Sequence, residues 1–246
     1  MPLFDHFHPP LRTRSQWGSF HTAWMTHLAA DLNGALPKRF FAAPSARFGI
    51  EIDVAALERF RDEDNGAAWT PGWEPPAATA TLPFAAATDE LEVLVHEDYP
   101  GELRLVGAVE FVSPANKDRP ETRAAFVSKC HGYLLRGVGV LVVDVVTDPP
   151  ANLHDDLLDR LGGSPGTSGG HLYGAAYRPT GGNGSGKLGV WLQPLAVGDP
   201  LPKMPLWLLG GFCVPARLGE TYLRTCHALR LFDLLGVPPP ADAPAT

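Results

Sequence analysis

Residues 109–146 read VEFVSPANKDRPETRAAFVSKCHGYLLRGVGVLVVDVV, and this stretch decides the fold. It opens with the end of a strand that carries Glu110, passes through a polar turn, and continues as a helix that carries Lys129. It closes on the β-branched run at residues 138–146, which is typical of a strand buried on both faces. A strand, a helix and a buried strand in this order indicate an α/β fold.

The segments before this stretch predict a helix and three strands. Apolar residues at helical spacing predict an amphipathic helix over residues 15–36, and alternation predicts a strand over residues 48–54. Residues 62–87 are rich in proline, which predicts an irregular surface excursion. Strands are predicted over residues 91–97 and 103–112, because Tyr99-Pro100-Gly101 between them is a typical hairpin signal.

The segments after this stretch complete the predicted domain. Asn152 is expected to cap a short helix that ends at Leu161. A strand pair is predicted over residues 172–177 and 188–192, and a last helix over residues 217–235. The prediction is an α/β fold with a mixed sheet flanked by helices, and with an added C-terminal strand pair and helix. It forms one domain over residues 1–236, followed by a disordered tail over residues 237–246.

Composition limits the classes of function. The chain is 45% apolar, and no apolar run reaches the roughly 20 residues that a membrane span needs. The N-terminal segment has no secretory pattern, so a cytoplasmic location is expected. The net charge of −7 counts against a protein that binds nucleic acid by neutralising phosphates.

The register of the predicted hairpin places carboxylates near each other. Aligning the apolar faces puts Glu92 and Glu110 on one side, with Glu110 opposite Glu92 or Glu90. Facing side chains have Cβ atoms about 5 Å apart, so two carboxylates there repel each other unless a cation such as Mg²⁺ neutralises them. Asp98 lies at the turn, too far along the strand to take part.

Lys129 is the predicted partner of these acids. It flanks the apolar stripe of its helix and could reach back over the sheet, where a lysine can stabilise charge on a phosphate. The alternative is that Glu92, Glu110 and Lys129 simply face solvent. Glu51 and Asp53 would add a carboxylate if their strand is adjacent to that of Glu110.

Asp144 is an acid inside the buried strand and therefore needs a partner. An uncompensated charge at such a position is costly. The residue is expected to lie at the edge of the core or to pair with a nearby cation. The sequence leaves these two alternatives open.

The motifs quoted above carry a family resemblance. EFVSPANK, Phe126 and Lys129 on the helix, and VLVVDVV resemble the bacterial family called domain of unknown function 4058. GDPLPKMPL at residues 198–206 extends this likeness. That family resembles the Uma-type branch of the PD-(D/E)XK restriction-endonuclease-like superfamily, which implies an αβββαβ core and a metal held by two acids.

The resemblance implies a role for each matching residue. Glu110 matches the strand acid, Lys129 the displaced lysine, and Glu92 the partner acid, so Glu92 and Glu110 would hold Mg²⁺, with Mn²⁺ as a substitute. Val112 stands where the superfamily has its motif lysine, and no proline precedes the partner acid. Lys117 competes for the lysine role, although Asn116 and Lys117 could instead shape the turn, with Ser113 as its cap.

Two functions follow from this resemblance. The first is a metal-dependent nuclease or phosphodiesterase with Glu92, Glu110 and Lys129 as catalytic residues. The second is a nuclease-like fold without catalysis that acts as a binding or assembly module. Nucleic acid and a second copy of the chain are the candidate partners, and no membrane partner is expected.

Overall fold

The computed structural model describes residues 1–14, 17–47, 51–59, 73–84, 103–163, 170–181, 186–209 and 211–240. The helices are α1 (Leu11–Arg14), α2 (Trp17–Ala35), α3 (Pro114–Asp118), α4 (Pro120–Leu135), α5 (Leu153–Arg160), α6 (Leu218–Ala228) and α7 (Leu231–Leu235). The strands are β1 (Phe40–Arg47), β2 (Glu51–Arg59), β3 (Ala80–Phe84), β4 (Leu103–Phe111), β5 (Gly139–Asp144), β6 (Tyr173–Thr180), β7 (Gly186–Pro194), β8 (Lys203–Trp207) and β9 (Cys213–Arg217).

The strands form one large sheet and one small ribbon. The seven-stranded sheet has the order β1-β2-β4-β5-β6-β7-β3, and β8 pairs with β9 in a separate two-stranded sheet. Among the strand pairs of the described residues, only β4 and β5 run parallel. The crossover through α3 and α4 explains this pair, because parallel neighbours need a long connection. The predicted mixed α/β fold is confirmed, with a mostly antiparallel sheet flanked by helices.

Hydrophobic clusters cover both faces of the sheet. One cluster contains Leu141 and Val143 of β5 together with residues of α2, α6, β8 and β9. The other contains Val140 and Val142 together with residues of α4 and α5. The alternation of β5 residues between the clusters shows why its sequence is apolar throughout, as a strand buried on both faces requires.

The long N-terminal helix forms as its apolar spacing predicts. In α2, the buried residues include Phe20, Trp24, Leu28 and Leu32, which follow one another at helical intervals of four residues. The helix packs against β1, α6 and β9. Of the helices in the described ranges, none combines the length and apolar character that a bilayer crossing requires.

Two strands of the sheet lie where no strand was predicted. β1 was not predicted, and β3 lies inside the segment that proline marks as irregular. β3 carries Pro83, yet it stands last in the sheet order, where a missing N–H breaks no ladder on the outer side. The predicted strand over residues 91–97 lies outside the described residues.

The C-terminal region differs from its prediction. The helix predicted over residues 217–235 is two helices, because Arg230 between α6 and α7 has a left-handed backbone with φ of 55°. The segment before it contains β8 and β9, which were not predicted and which pack against the face of the large sheet. Residues 241–246 of the predicted tail lie outside the described part of the chain.

Candidate functional site

Glu110 lies near the carboxyl end of β4, on the face that α4 covers. Its neighbours on that face, Ala108 and Val112, belong to the hydrophobic cluster that includes Tyr133 of α4. The register of the parallel pair places Glu110 beside Val142 of β5. A carboxylate therefore enters an apolar layer between the sheet and the crossover helix, where an uncompensated charge would be unfavourable.

Two side chains of α4 meet this carboxylate. Lys129 Nζ donates to Glu110 Oε2 at 2.6 Å, and the Tyr133 hydroxyl donates to Oε1 at 3.2 Å. Lys129 and Tyr133 are four residues apart, so they lie on one face of the helix. We call Glu110, Lys129 and Tyr133 the Glu110 site.

The exposure of the Glu110 site excludes the interpretation that its charges simply face solvent. The Glu110 side chain is 1% exposed and that of Lys129 is 22% exposed. The lysine therefore has a buried end on the carboxylate and a partial outlet to solvent. A charge-assisted hydrogen bond of this length is among the stronger ones in proteins.

A second buried ion pair lies on the same face of the sheet. Lys117 Nζ donates to Asp144 Oδ1 at 3.1 Å, lies 3.0 Å from Oδ2, and donates to the Val146 carbonyl at 2.9 Å. Both side chains are fully buried. Asp144 therefore pairs with a cation, which answers the question that its place in a buried strand had left open.

The local structure of residues 113–117 (SPANK) places the side chain of Lys117 against Asp144. Both the backbone N–H and the hydroxyl of Ser113 donate to Asn116 Oδ1, each at 2.9 Å, at the start of α3. This confirms that Ser113 and Asn116 shape the turn. Lys117 does more than shape the turn, since α3 directs its side chain inward.

Burial shifts the pKa values of this pair. Burial raises the pKa of Asp144 to about 6, although the charge and hydrogen bond of Lys117 oppose the shift. Burial also lowers the pKa of Lys117, against the influence of Asp144. Both shifts have one cause, because removal from water disfavours the charged form of each group.

The structure separates the two candidate lysines. Lys129 contacts Glu110, whereas Lys117 contacts Asp144. Glu110 and Asp144 lie on one face of neighbouring parallel strands, and each has a lysine of its own. The pairing of Lys117 was missed in the sequence, and the signal that could have indicated it was the need of Asp144 for a cation.

The register that places Glu92 opposite Glu110 stays a prediction, because residues 91–97 lie outside the described part of the chain. Along residues 107–109, β4 pairs with β2 on one side and with β5 on the other. Glu92 itself lies outside the described residues, as do Glu90 and Asp98.

β2, which carries Glu51 and Asp53, lies beside the strand of Glu110. Its adjacency to β4 meets the condition under which Glu51 and Asp53 would approach the site. Val54 is the register partner of Val109. In an antiparallel pair, the register carried one residue further places Asp53 across from Glu110.

The Glu110 site contains one carboxylate, so a magnesium ion there would need further ligands from other groups. Within the described ranges, no group of three or more His, Cys, Asp or Glu residues could hold a metal ion. Magnesium is often bound by one or two carboxylates, with water and substrate phosphates as its other ligands. Glu110 supplies one carboxylate, and the backbone position of Asp53 lies across from it by the register of β2 and β4.

Comparison with known proteins adds no assignment. Searches against protein-family models, curated proteins and solved structures found no match. The resemblance to domain of unknown function 4058 therefore stays a prediction. The function of the Glu110 site has to be inferred from its residues.

Proposed function

We propose that this chain is a metal-dependent phosphodiesterase of nuclease-like fold, with the Glu110 site as its centre. The observation that supports this proposal is the contact of 2.6 Å between Lys129 Nζ and Glu110 Oε2. The helix that carries Lys129 follows the strand that carries Glu110, as in nucleases whose lysine has moved from strand to helix. The contact joins the two residue types that the sequence motif predicts.

The order of elements also supports the proposal. Apart from α3 and β3, the chain runs α2, β1, β2, β4, α4 and β5. This order supports the helix, three strands, helix and strand that a restriction-endonuclease-like core would have. β4 and β5 are parallel, and the Glu110 site lies toward their carboxyl ends. In open parallel sheets, ligands usually bind at the carboxyl ends of the strands.

Each residue would have a distinct role. Glu110 and Asp53 would hold Mg²⁺, or Mn²⁺ in its place, and the ion would supply Lewis acidity toward a phosphate oxygen. Lys129, with a partial outlet to solvent, would stabilise negative charge that develops on the phosphate. Tyr133 holds the second oxygen of Glu110 and so fixes the orientation of the carboxylate.

A cleavage assay tests this proposal. We expect the purified chain to cleave DNA or a phosphodiester reporter in Mg²⁺ or Mn²⁺ and not in EDTA. Glu110→Gln and Lys129→Met should each lower the rate by about a hundredfold or more, as the loss of one charged catalytic group often does. Glu220→Gln is the matched control, because Glu220 forms an exposed pair with Lys203.

The assay has a clear contrary result. If Glu110→Gln retains the full rate, or if the activity ignores EDTA, the Glu110 site is not a metal-dependent catalytic centre. Thermal unfolding of each variant separates a lost catalytic group from a lost fold. Lys129→Arg, which keeps the positive charge, provides a second measure of the role of Lys129.

A second candidate function has its own supporting observation. The Glu110 carboxylate is 1% exposed and already carries an ammonium group, so the lysine supplies the charge that a metal would otherwise bring. In this alternative the chain is a nuclease-like fold without catalysis that acts as a binding or assembly module. Such a module would ignore divalent ions in a thermal shift assay, and a homodimer would appear as a mass that rises with concentration.

A further inference from the structure

A cavity of about 320 Å³ lies at the end of β5 that is remote from Asp144. Gly139, the first residue of β5, lines it, together with Arg178 of β6 and Trp207 of β8. Leu208 and Gly211, from the turn between β8 and β9, also line it. We call this the Arg178 cavity.

Arg178 brings a positive charge to the wall of this cavity. Its guanidinium carbon lies 4.0 Å from the centre of the Trp207 ring, in a cation–π contact. Within the described part of the chain, neither an ion pair nor a hydrogen bond of its guanidinium is found. Burial lowers the pKa of Arg178, against the influence of Cys213, so the charge sits where water compensates it incompletely.

The indole N–H of Trp207 is a buried donor without an acceptor among the described residues. The residue is 7% exposed. Buried indole N–H groups usually find an acceptor. The Arg178 guanidinium is therefore the donor that can meet a ligand in this cavity, and Trp207 contributes its ring to the wall.

Glycines provide the space around these side chains. Gly211 has φ of 91°, and a Cβ added to it would lie 2.8 Å from Nη2 of Arg178. A Cβ added to Gly139 would overlap the Trp207 carbonyl oxygen. A larger residue at Gly211 would crowd the guanidinium, and one at Gly139 would displace the strand that carries Trp207.

We propose that the Arg178 cavity binds a small organic acid, with an apolar part about one ring in size and a carboxylate or phosphate group that pairs with Arg178. A guanidinium that stacks on an aromatic ring keeps its N–H edge for bidentate binding of such an anion. The volume is at the lower end of that of ligand pockets, which limits the ligand to a small molecule. The apolar residues Leu134, Pro179 and Leu208 offer a wall for its ring.

Benzoate, phenyl phosphate and benzamide are the probes that test this inference. Benzamide has the shape of benzoate without its charge. We expect calorimetry to detect binding of benzoate or phenyl phosphate at millimolar concentrations and no binding of benzamide. Whichever of benzoate and phenyl phosphate binds more tightly identifies the preferred anionic group. The indole N–H resonance of Trp207, assigned with Trp207→Phe, should shift when that compound binds.

Variants of Arg178 complete the test. Arg178→Gln should weaken binding of the acid by at least about tenfold, and Arg178→Lys should weaken it less, because it keeps the charge and loses the fork. Arg136→Gln is the matched control, since Arg136 is exposed and does not line the cavity. Benzamide binding equal to that of benzoate, full affinity in Arg178→Gln, or no binding of either acid to the folded wild-type chain would overturn the inference.

Discussion

Two lysines of this molecule end on buried carboxylates. Lys117 is fully buried with Asp144, whereas Lys129 keeps a partial outlet to solvent beside Glu110. A buried ion pair contributes little net stability compared with apolar packing, but the loss of one partner is costly. The two pairs therefore suggest different roles, with Lys117 structural and Lys129 available for chemistry.

Lys117→Met tests the structural role of the buried lysine. The variant leaves Asp144 without its cation, so we expect the free energy of unfolding to fall by about 3–5 kcal/mol. Urea unfolding measures this loss. Lys203→Met is the control, because Lys203 is 58% exposed in its pair with Glu220 and should cost at most about 1 kcal/mol. Equal losses in the two variants would refute the role of Lys117.

The pH dependence of stability reports on Asp144. Because its pKa is raised to about 6 from 3.8, the folded chain binds this proton more tightly than the unfolded chain between these values. The contribution of Asp144 to the free energy of unfolding therefore falls as the pH rises through that window. Asp144→Asn does not titrate, so it should remove this fall.

Urea unfolding of the wild type and Asp144→Asn at several pH values between about 4 and 7 shows whether the contribution of Asp144 to the free energy of unfolding falls or rises with pH. The comparison concerns the slopes, because the substitution also changes stability at every pH. Parallel curves for the two proteins would show that Asp144 does not titrate in this window. A wild-type contribution that rises with pH would contradict the direction of the shift.

At the scale of single residues, the sequence predicted a contact where a charged side chain lies in an apolar segment and therefore requires a partner. Asp144 in a run of β-branched residues required a partner, and the structure supplies one. The identity of that partner could not be read, because Lys117 lies 27 residues earlier and reaches Asp144 only through the geometry of α3. The contact between Lys129 and Glu110 was predictable because both residues belong to one strand and helix unit.

At the scale of elements, periodic patterns predicted α2, β4, α4 and β5. β1 and β3 were missed because their sequences, FFAAPSAR and ATLPF, contain proline and small residues. β1 pairs with β2, the next strand in the chain, whereas β3 pairs with a distant strand. The partner of β3 is β7, about a hundred residues later in the chain. Strand neighbours of this kind depend on tertiary contacts.

Two glycines test the packing of the β8–β9 ribbon on the sheet. Gly139→Ala places a Cβ against the Trp207 carbonyl oxygen, so it should destabilise the fold by about 1–3 kcal/mol. Gly132→Ala lies in α4, where an added Cβ meets no atom within 4 Å, and should stabilise by about 0.5–1 kcal/mol. Chemical denaturation compares the two, and a Gly139→Ala variant as stable as the wild type would contradict the close contact.

At the scale of the whole molecule, the strand order determines which acids can cooperate. β4 lies between β2 and β5, so Glu110 has Asp53 across from it by register and Asp144 on the neighbouring strand. The Arg178 cavity lies at the opposite end of β5 from Asp144. The Glu110 site and the Arg178 cavity share no residue, so Glu110→Gln should leave organic acid binding at Arg178 unchanged.

Binding of Mg²⁺ to the purified chain, measured by isothermal titration calorimetry, tests the proposed metal site most directly. We expect one ion per chain in the wild type, and no measurable binding in Glu110→Gln or Asp53→Asn. The control variant Glu220→Gln should bind as the wild type does. Absence of binding in the wild type, or unchanged binding in Glu110→Gln, would contradict the proposal that Glu110 holds a catalytic metal.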